Sequence, residues 1–348
     1  MQARSTLFFL LVLLAFPASL IHAQIATPGG DGRIVISMTP ENPLPGGYVH
    51  LSAASPLADL GQSDVTWYAD QKLIAQGPGL TETAVSAGTL GTSVDIVVIA
   101  QAADGTVASG EAFIRPTEID LVWESDSYTP PFYRGGALPS AGTTIRAQAI
   151  ADLRLPNGTS VPESNITYTW RRNGSVIQNA SGRGRSFGIF PAPTLFATDV
   201  IEVNATSADG TLSGTASVNI PSVEPVLALY EDNPIFGILY NKTFGQATTV
   251  KDAEMTFAAV PYFAQADSPD DPQLAYNWRV NGQYVPADAA KPSEITINSD
   301  KSTGNADLAL SLTRMRNWYM KADAEWKISF PNGSSGTTGA NPFGATAQ

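Results

Sequence analysis

Few side chains in this sequence suit catalysis. The 348 residues contain two histidines and no cysteine. His22 lies in an apolar leader, which leaves His50. It alternates with Val49 and Leu51, so it points away from the apolar side of a strand. Cysteine–histidine chemistry has no thiol, and any serine triad would depend on His50 alone. No Gly-x-Ser-x-Gly elbow, phosphate-binding loop or dinucleotide fingerprint is present. The expectation is a protein that is not an enzyme.

Paired carboxylates suit glycoside hydrolysis or a hard cation. The pairs are Glu124 with Asp126, and Glu231 with Asp232, each close to a proline. They recur in corresponding stretches, which reads as repeated linker geometry rather than a repeated active site. They are the calcium candidates, joined by "DSPDD" at 267–271, but no EF-hand spacing is present and solvated acidic loops are expected. No cofactor is expected, with calcium the one alternative.

Aromatic residues offer a different chemistry, the binding of a sugar or a protein. Trp67, Trp170 and Trp278 sit in like surroundings, "VTWYADQKLI", "YTWRRNGSVI" and "YNWRVNGQYV", and read as core. Phe132-Tyr133, Tyr262-Phe263 and Trp318-Tyr319 have no such reading. Trp318 and Tyr319 fall where corresponding stretches place a turn, so they are the candidate recognition residues, on a loop tip.

The elements that position these residues repeat. The three tryptophans recur about 105 residues apart, as do "AADG" and "SADG", and the closing prolines Pro116, Pro221 and Pro331. The units run 32–116, 117–221 and 222–331. Within each the apolar period is two: Val49, Leu51, Ala53; Ile145, Ala147, Ala149; Met255, Phe257, Ala259. That is the period of strands with one buried face. Asn173-Gly174 and Asn281-Gly282 are hairpin turns, and Asp70-Gln71 is a poorer one. About seven short strands per unit predict an all-β chain of three tandem immunoglobulin-like β-sandwiches. In this reading Trp123 and Tyr230 are equivalent residues of strand A, and Pro43, Pro131 and Pro234 break that strand at a sheet edge.

The Trp-x-x-Asn-Gly hairpins, the Ala-Asp-Gly turns, the closing prolines and the lack of cysteine resemble bacterial extracellular immunoglobulin-like repeats, including the PKD-like group. Ala53 and Ala100, and likewise Ala149 and Ala205, stand where an antibody domain has its cysteine pair. The PKD Phe-Gly-Asp-Gly pattern is missing. The resemblance implies an exported protein associated with a surface or pilus, and it carries over no catalytic residues.

Composition points the same way. Charged residues are 15% of the chain and the formal net charge is −12. No basic stripe exists to neutralise phosphates, so nucleic acid is not an expected partner. Residues 1–23 read as a signal peptide, with Arg4, an apolar run and a cleavage site near Ala23. A membrane association is expected only if this segment stays uncleaved. Residues 24–31 read as a flexible leader and 332–348 as a disordered tail. The expected location is secreted or at the cell surface, with the periplasm as an alternative. The expected function is a structural or binding rod for adhesion or pilus and envelope assembly, with a protein or glycan partner. The alternative is a carbohydrate-binding protein using the aromatic loops of the third unit.

Overall fold

The computed structural model describes residues 33–250, 254–298 and 304–330. The expected signal peptide, leader and tail lie outside these residues. The described chain is built of strands and two short 3-10 turns. The first sandwich contains β1 (Val35–Thr39), β2 (Tyr48–Ala54), β3 (Asp64–Ala69), β4 (Lys72–Pro78), β5 (Glu82–Ser86), β6 (Val94–Gln101) and β7 (Val107–Ile114). The second contains β8 (Glu118–Ser125), β9 (Thr144–Asp152), β10 (Ile166–Arg172), β11 (Ser175–Val176), β12 (Gly182–Arg183), β13 (Phe187–Pro191), β14 (Thr198–Ser207) and β15 (Ser213–Pro221). The third contains β16 (Val226–Asn233), β17 (Gly237–Phe244), β18 (Ala247–Thr249), β19 (Glu254–Tyr262), β20 (Leu274–Val280), β21 (Gln283–Val285), β22 (Glu294–Asn298), β23 (Gly304–Arg314) and β24 (Asn317–Phe330).

Each sandwich faces two sheets across its own core. The sheets are β1-β2-β5 on β4-β3-β6-β7, then β13-β9-β8 on β11-β10-β14-β15 with β12 also on β10, then β17-β16-β19-β22 on β18-β24-β23-β20-β21. Three separate clusters of buried apolar side chains result, one around each of Trp67, Trp170 and Trp278. The fold is three tandem immunoglobulin-like β-sandwiches.

The repeat has a physical cause. Each core tryptophan is fully buried, and its indole N–H must find an acceptor. Trp67 donates to the Leu80 carbonyl at 2.9 Å, Trp170 to Arg185 at 2.9 Å and Trp278 to Pro292 at 3.1 Å. The turn that follows is likewise shared. Asp70, Asn173 and Asn281 all sit at positive φ, near +50°. Each exchanges two bonds with the next strand of the sheet. Asn173 N–H donates to Val200 O while Val200 N–H donates to Asn173 Oδ1, both at 2.9 Å. Asp70 does the same with Asp95, and Asn281 with Asp307. The Asp70-Gln71 turn therefore closes like the other two, with Gln71 held at φ 65 where they have glycine.

The strand register corrects one expectation. Ala149 and Ala259 are equivalent, because their N–H groups donate to Ser186 O and Ser293 O in the same way. Ala149 pairs with Leu121, and Ala259 with Leu229. Trp123 pairs with Ala147 and faces the core of the second sandwich. Tyr230 pairs with Ala258, one position out, and so lies on the opposite face of its sheet. The two carboxylate pairs are displaced with it: Glu124 corresponds to Asp232, not to Glu231. The β19 strand also breaks the alternation. Phe257 and Ala259 enter the core, yet Ala258 and Val260 on the other face are equally buried. That second buried face carries Tyr230 and Tyr262.

Candidate recognition surface

Trp318 and Tyr319 belong to the turn between β23 and β24. In the first two sandwiches this hairpin closes through Asp104-Gly105 and Asp209-Gly210. In the third, Met315 and Arg316 form the connection, and the register slips between Thr313 and Arg314. Such a bulge re-aims side chains. Met320 turns inward and is fully buried, whereas Trp318 is 93% exposed and Tyr319 70% exposed. The two candidates thus lie at the start of a strand inside a bulge, rather than on the loop tip itself.

The bulge is fixed from below. The Asn317 amide donates to Ala141 O and to Gln265 Oε1, each at 2.8 Å, and Tyr319 N–H donates to Asn317 Oδ1 at 3.2 Å. Arg314 makes an ion pair with Asp271 at 3.2 Å, with both side chains largely buried. Burial alone would raise the Asp271 carboxyl. The Gln273 and Asp267 amides and the Arg314 guanidinium outweigh it, so Asp271 titrates below the ordinary range. Ala141 belongs to the second sandwich. Trp318 therefore stands at a joint between sandwiches.

Sequence reasoning missed how this joint is built. The segment between β8 and β9 reaches across it. Tyr128 N–H donates to Ala264 O at 2.8 Å, and Phe263 N–H donates to Tyr128 O at 2.7 Å. Tyr133 meets Tyr262 and Phe263 edge-on, with ring centroids 5.6 and 5.8 Å away. Tyr230 and Tyr240 rings lie 5.4 Å apart, and the Tyr230 and Tyr262 hydroxyls 2.5 Å apart. Burial, then the neighbouring hydroxyls, push Tyr128 and Tyr230 well above the usual phenol range; burial raises Tyr240 too, against the pull of its hydrogen bond with Tyr128. Two of the unexplained aromatic pairs of the sequence, Phe132-Tyr133 and Tyr262-Phe263, are thus brought together. Phe132 itself stays exposed, at positive φ.

The calcium candidates are already engaged. Glu124 pairs with Arg146 at 3.6 Å, and Asp126 accepts from Thr144 N–H at 2.7 Å. Glu231 accepts from Asn233, and Asp232 faces Lys291 at 3.5 Å. In 267–271, Asp270 holds Ser293 and Asp271 holds Arg314. Among the described residues no group of three or more His, Cys, Asp or Glu is placed to hold a metal ion. His50 is exposed on β2, paired with Thr39 and Ala84.

No protein-family model and no curated protein matches the chain. Among solved structures it is similar to the fibronectin(III)-like modules of Clostridium thermocellum CbhA, at 13% identity and TM-score 0.27, over 54% of this chain and 95% of that one. It is similar to the central fibronectin-III array of RIM-binding protein, at 13% identity and TM-score 0.30, over 86% and 96%. It is also similar to Bacteroides ovatus SGBP-B in complex with a mixed-linkage heptasaccharide, at 12% identity and TM-score 0.22, over 85% and 70%. Among the described residues no helix is long and apolar enough to cross a membrane.

Proposed function

We propose that this chain is an exported, non-catalytic binding protein of the cell surface, a three-sandwich rod for adhesion or for pilus and envelope assembly. One observation carries the recognition site: Trp318 is almost wholly exposed on a bulge whose base is pinned by Asn317 and by the Arg314–Asp271 pair. A rigid, exposed aromatic ring loses little entropy on binding and brings a large apolar face. A protein partner is the leading reading. A glycan is the alternative, favoured by the adjacent exposed Tyr319, since two rings offer a platform to sugar C–H faces.

The test compares the purified chain with Trp318→Ala and with Trp318→Ala/Tyr319→Ala, on a glycan array and on intact cells. The variants should melt within about 0.5 kcal/mol of the parent, because the rings are exposed. Loss of cell binding without any array signal supports a protein partner, and loss of an array signal supports the glycan. Binding that survives both substitutions removes Trp318 and Tyr319 as the site.

A further inference from the structure

The three sandwiches treat one sheet edge in three ways. β7, β15 and β24 are equivalent strands, each the second arm of the last hairpin of its sandwich. In the third, β18 lies parallel beside β24, with Lys327 N–H donating to Gln246 O and Val250 N–H to Ser329 O. In the first, Ile34 crosses β7, and its N–H donates to Ser109 O at 3.0 Å. In the second, only a side chain arrives: Thr117 Oγ1 donates to Ser213 O at 2.8 Å. Beyond Ser213, β15 is the open last strand of its sheet.

The phase of the ladder says which backbone groups face outward. Ser207 N–H donates to Leu212 O, and Ser222 N–H to Ala197 O. In an antiparallel pair, alternate residues exchange both bonds with the strand beside them. Gly214, Ala216, Val218 and Ile220 therefore direct their N–H and C=O groups at β14. Thr215, Ser217 and Asn219 direct theirs away from the sheet, and all three are exposed. In the first sandwich the bond from Ala102 N–H to Thr106 O matches that from Ser207 to Leu212, which puts Glu111 where Ser217 stands. A charge at such a place keeps an edge from pairing. β15 carries no charged side chain, has proline only at its last residue, and runs without a register shift.

We propose that the β15 edge of the second sandwich pairs antiparallel with the same edge of a second copy of this chain, across a two-fold axis at Ser217. The strand is complementary to itself, which a two-fold interface requires. Ser217 meets Ser217 of the second copy, and Thr215 meets its Asn219, so the outward N–H and C=O groups of all three residues find partners. On the inner face Ala216 meets Val218 of the second copy. Both are half-buried apolar side chains already packed against the Trp170 core, and pairing completes their burial. No like charges are opposed within the strand pair, although the chain carries a formal net charge of −12. A two-fold axis at Glu111 would set glutamate against glutamate, so the equivalent edge of the first sandwich does not offer the same contact.

Sedimentation equilibrium of the full chain tests this. One strand pair is a small interface, so the average mass should climb toward that of a dimer as the chain approaches about 1 mM. Salt should strengthen the association, because it screens the repulsion between two acidic chains. Ser217→Glu and Ser217→Lys should each melt like the parent, since the side chain is exposed. Each alone should weaken self-association about fivefold, and a mixture of the two should pair better than either alone by at least as much. Amide exchange at Thr215, Ser217 and Asn219 should slow with concentration in the parent and not in Ser217→Glu. A parent that stays monomeric, a dimer indifferent to Ser217→Glu, or a mixture no better than its parts would overturn the proposal. So would a monomeric chain whose three amides are protected by a synthetic peptide of residues 214–220, which would leave the edge to a foreign strand.

Discussion

The two joints between sandwiches are made of different materials. Between the first and second, Pro116 and Thr117 are buried; Thr117 N–H donates to Pro43 O and Arg115 to Thr211 O across the joint, and Thr117 Oγ1 holds the linker to Ser213 O within the second sandwich. Between the second and third, a segment from one sandwich hydrogen-bonds through Tyr128 to Phe263 and Ala264, just past β19 of the other, and lays Tyr128 and Tyr133 against its tyrosines. Polar bonds exchanged with water contribute about 1 kcal/mol each. Buried aromatic rings contribute several. The second joint should therefore hold two sandwiches as one unfolding unit, while the first joins units that unfold separately. The exposed Trp318 sits beside this second joint.

The largest test removes the centre of the aromatic joint. Tyr230→Ala deletes a fully packed ring and its contacts with Tyr240 and Tyr262, at a cost of about 3–5 kcal/mol. Tyr230→Phe keeps the ring and should cost about 1 kcal/mol. In calorimetry, the parent should show one transition for the first sandwich and one shared by the other two. Tyr230→Ala should lower the shared transition and leave the first in place. Three independent transitions in the parent would show that the tyrosines do not couple their sandwiches.

Alkaline pH attacks the same joint without mutation. Burial favours the neutral phenol, so Tyr128, Tyr230 and Tyr240 hold their protons in the folded chain to higher pH than in the unfolded one. The unfolded state loses its phenolic protons first, near pH 10. Stability from these groups is thus complete below pH 10 and falls as pH rises beyond it. The shared transition should drop steeply above pH 10, more so than that of the first sandwich. Tyr240→Phe should flatten the dependence. A pH response equal in both transitions would mean that the hydroxyl cluster does not set it.

These contrasts explain what the sequence disclosed. The core tryptophans and the Asn turns were legible because each satisfies a local demand, an indole acceptor within fifteen residues or a positive φ within a hairpin. Exposure of Trp318 and Tyr319 was legible because the third repeat lacks the Asp-Gly turn. The bulge that buries Met320 between such exposed neighbours was not, since a register slip leaves no mark in composition. Tyr230 was misplaced against Trp123 for a related reason. Matching residue types tolerates a shift of one, and in a strand that shift reverses the face. The tyrosine joint was hidden most deeply. Its members come from Tyr128 and Tyr133 on one side and Tyr230, Tyr240 and Tyr262 on the other, and no periodicity links them. The extra strand β17, which brings Tyr240, has no counterpart in the other repeats to align with.

The smallest test addresses the polar joint. Thr117→Val keeps the shape of the buried side chain and removes its bond to Ser213 O. The cost should be about 1 kcal/mol or less. Such a change is hard to see in a melting curve but shifts a local opening equilibrium about fivefold. Limited proteolysis within 114–118 reads that equilibrium directly when opening is fast. Cleavage should quicken about fivefold in Thr117→Val, while cleavage within 221–226 stays constant. If the linker is cut no faster, the burial of Pro116 holds the first joint, and its polar bonds are incidental.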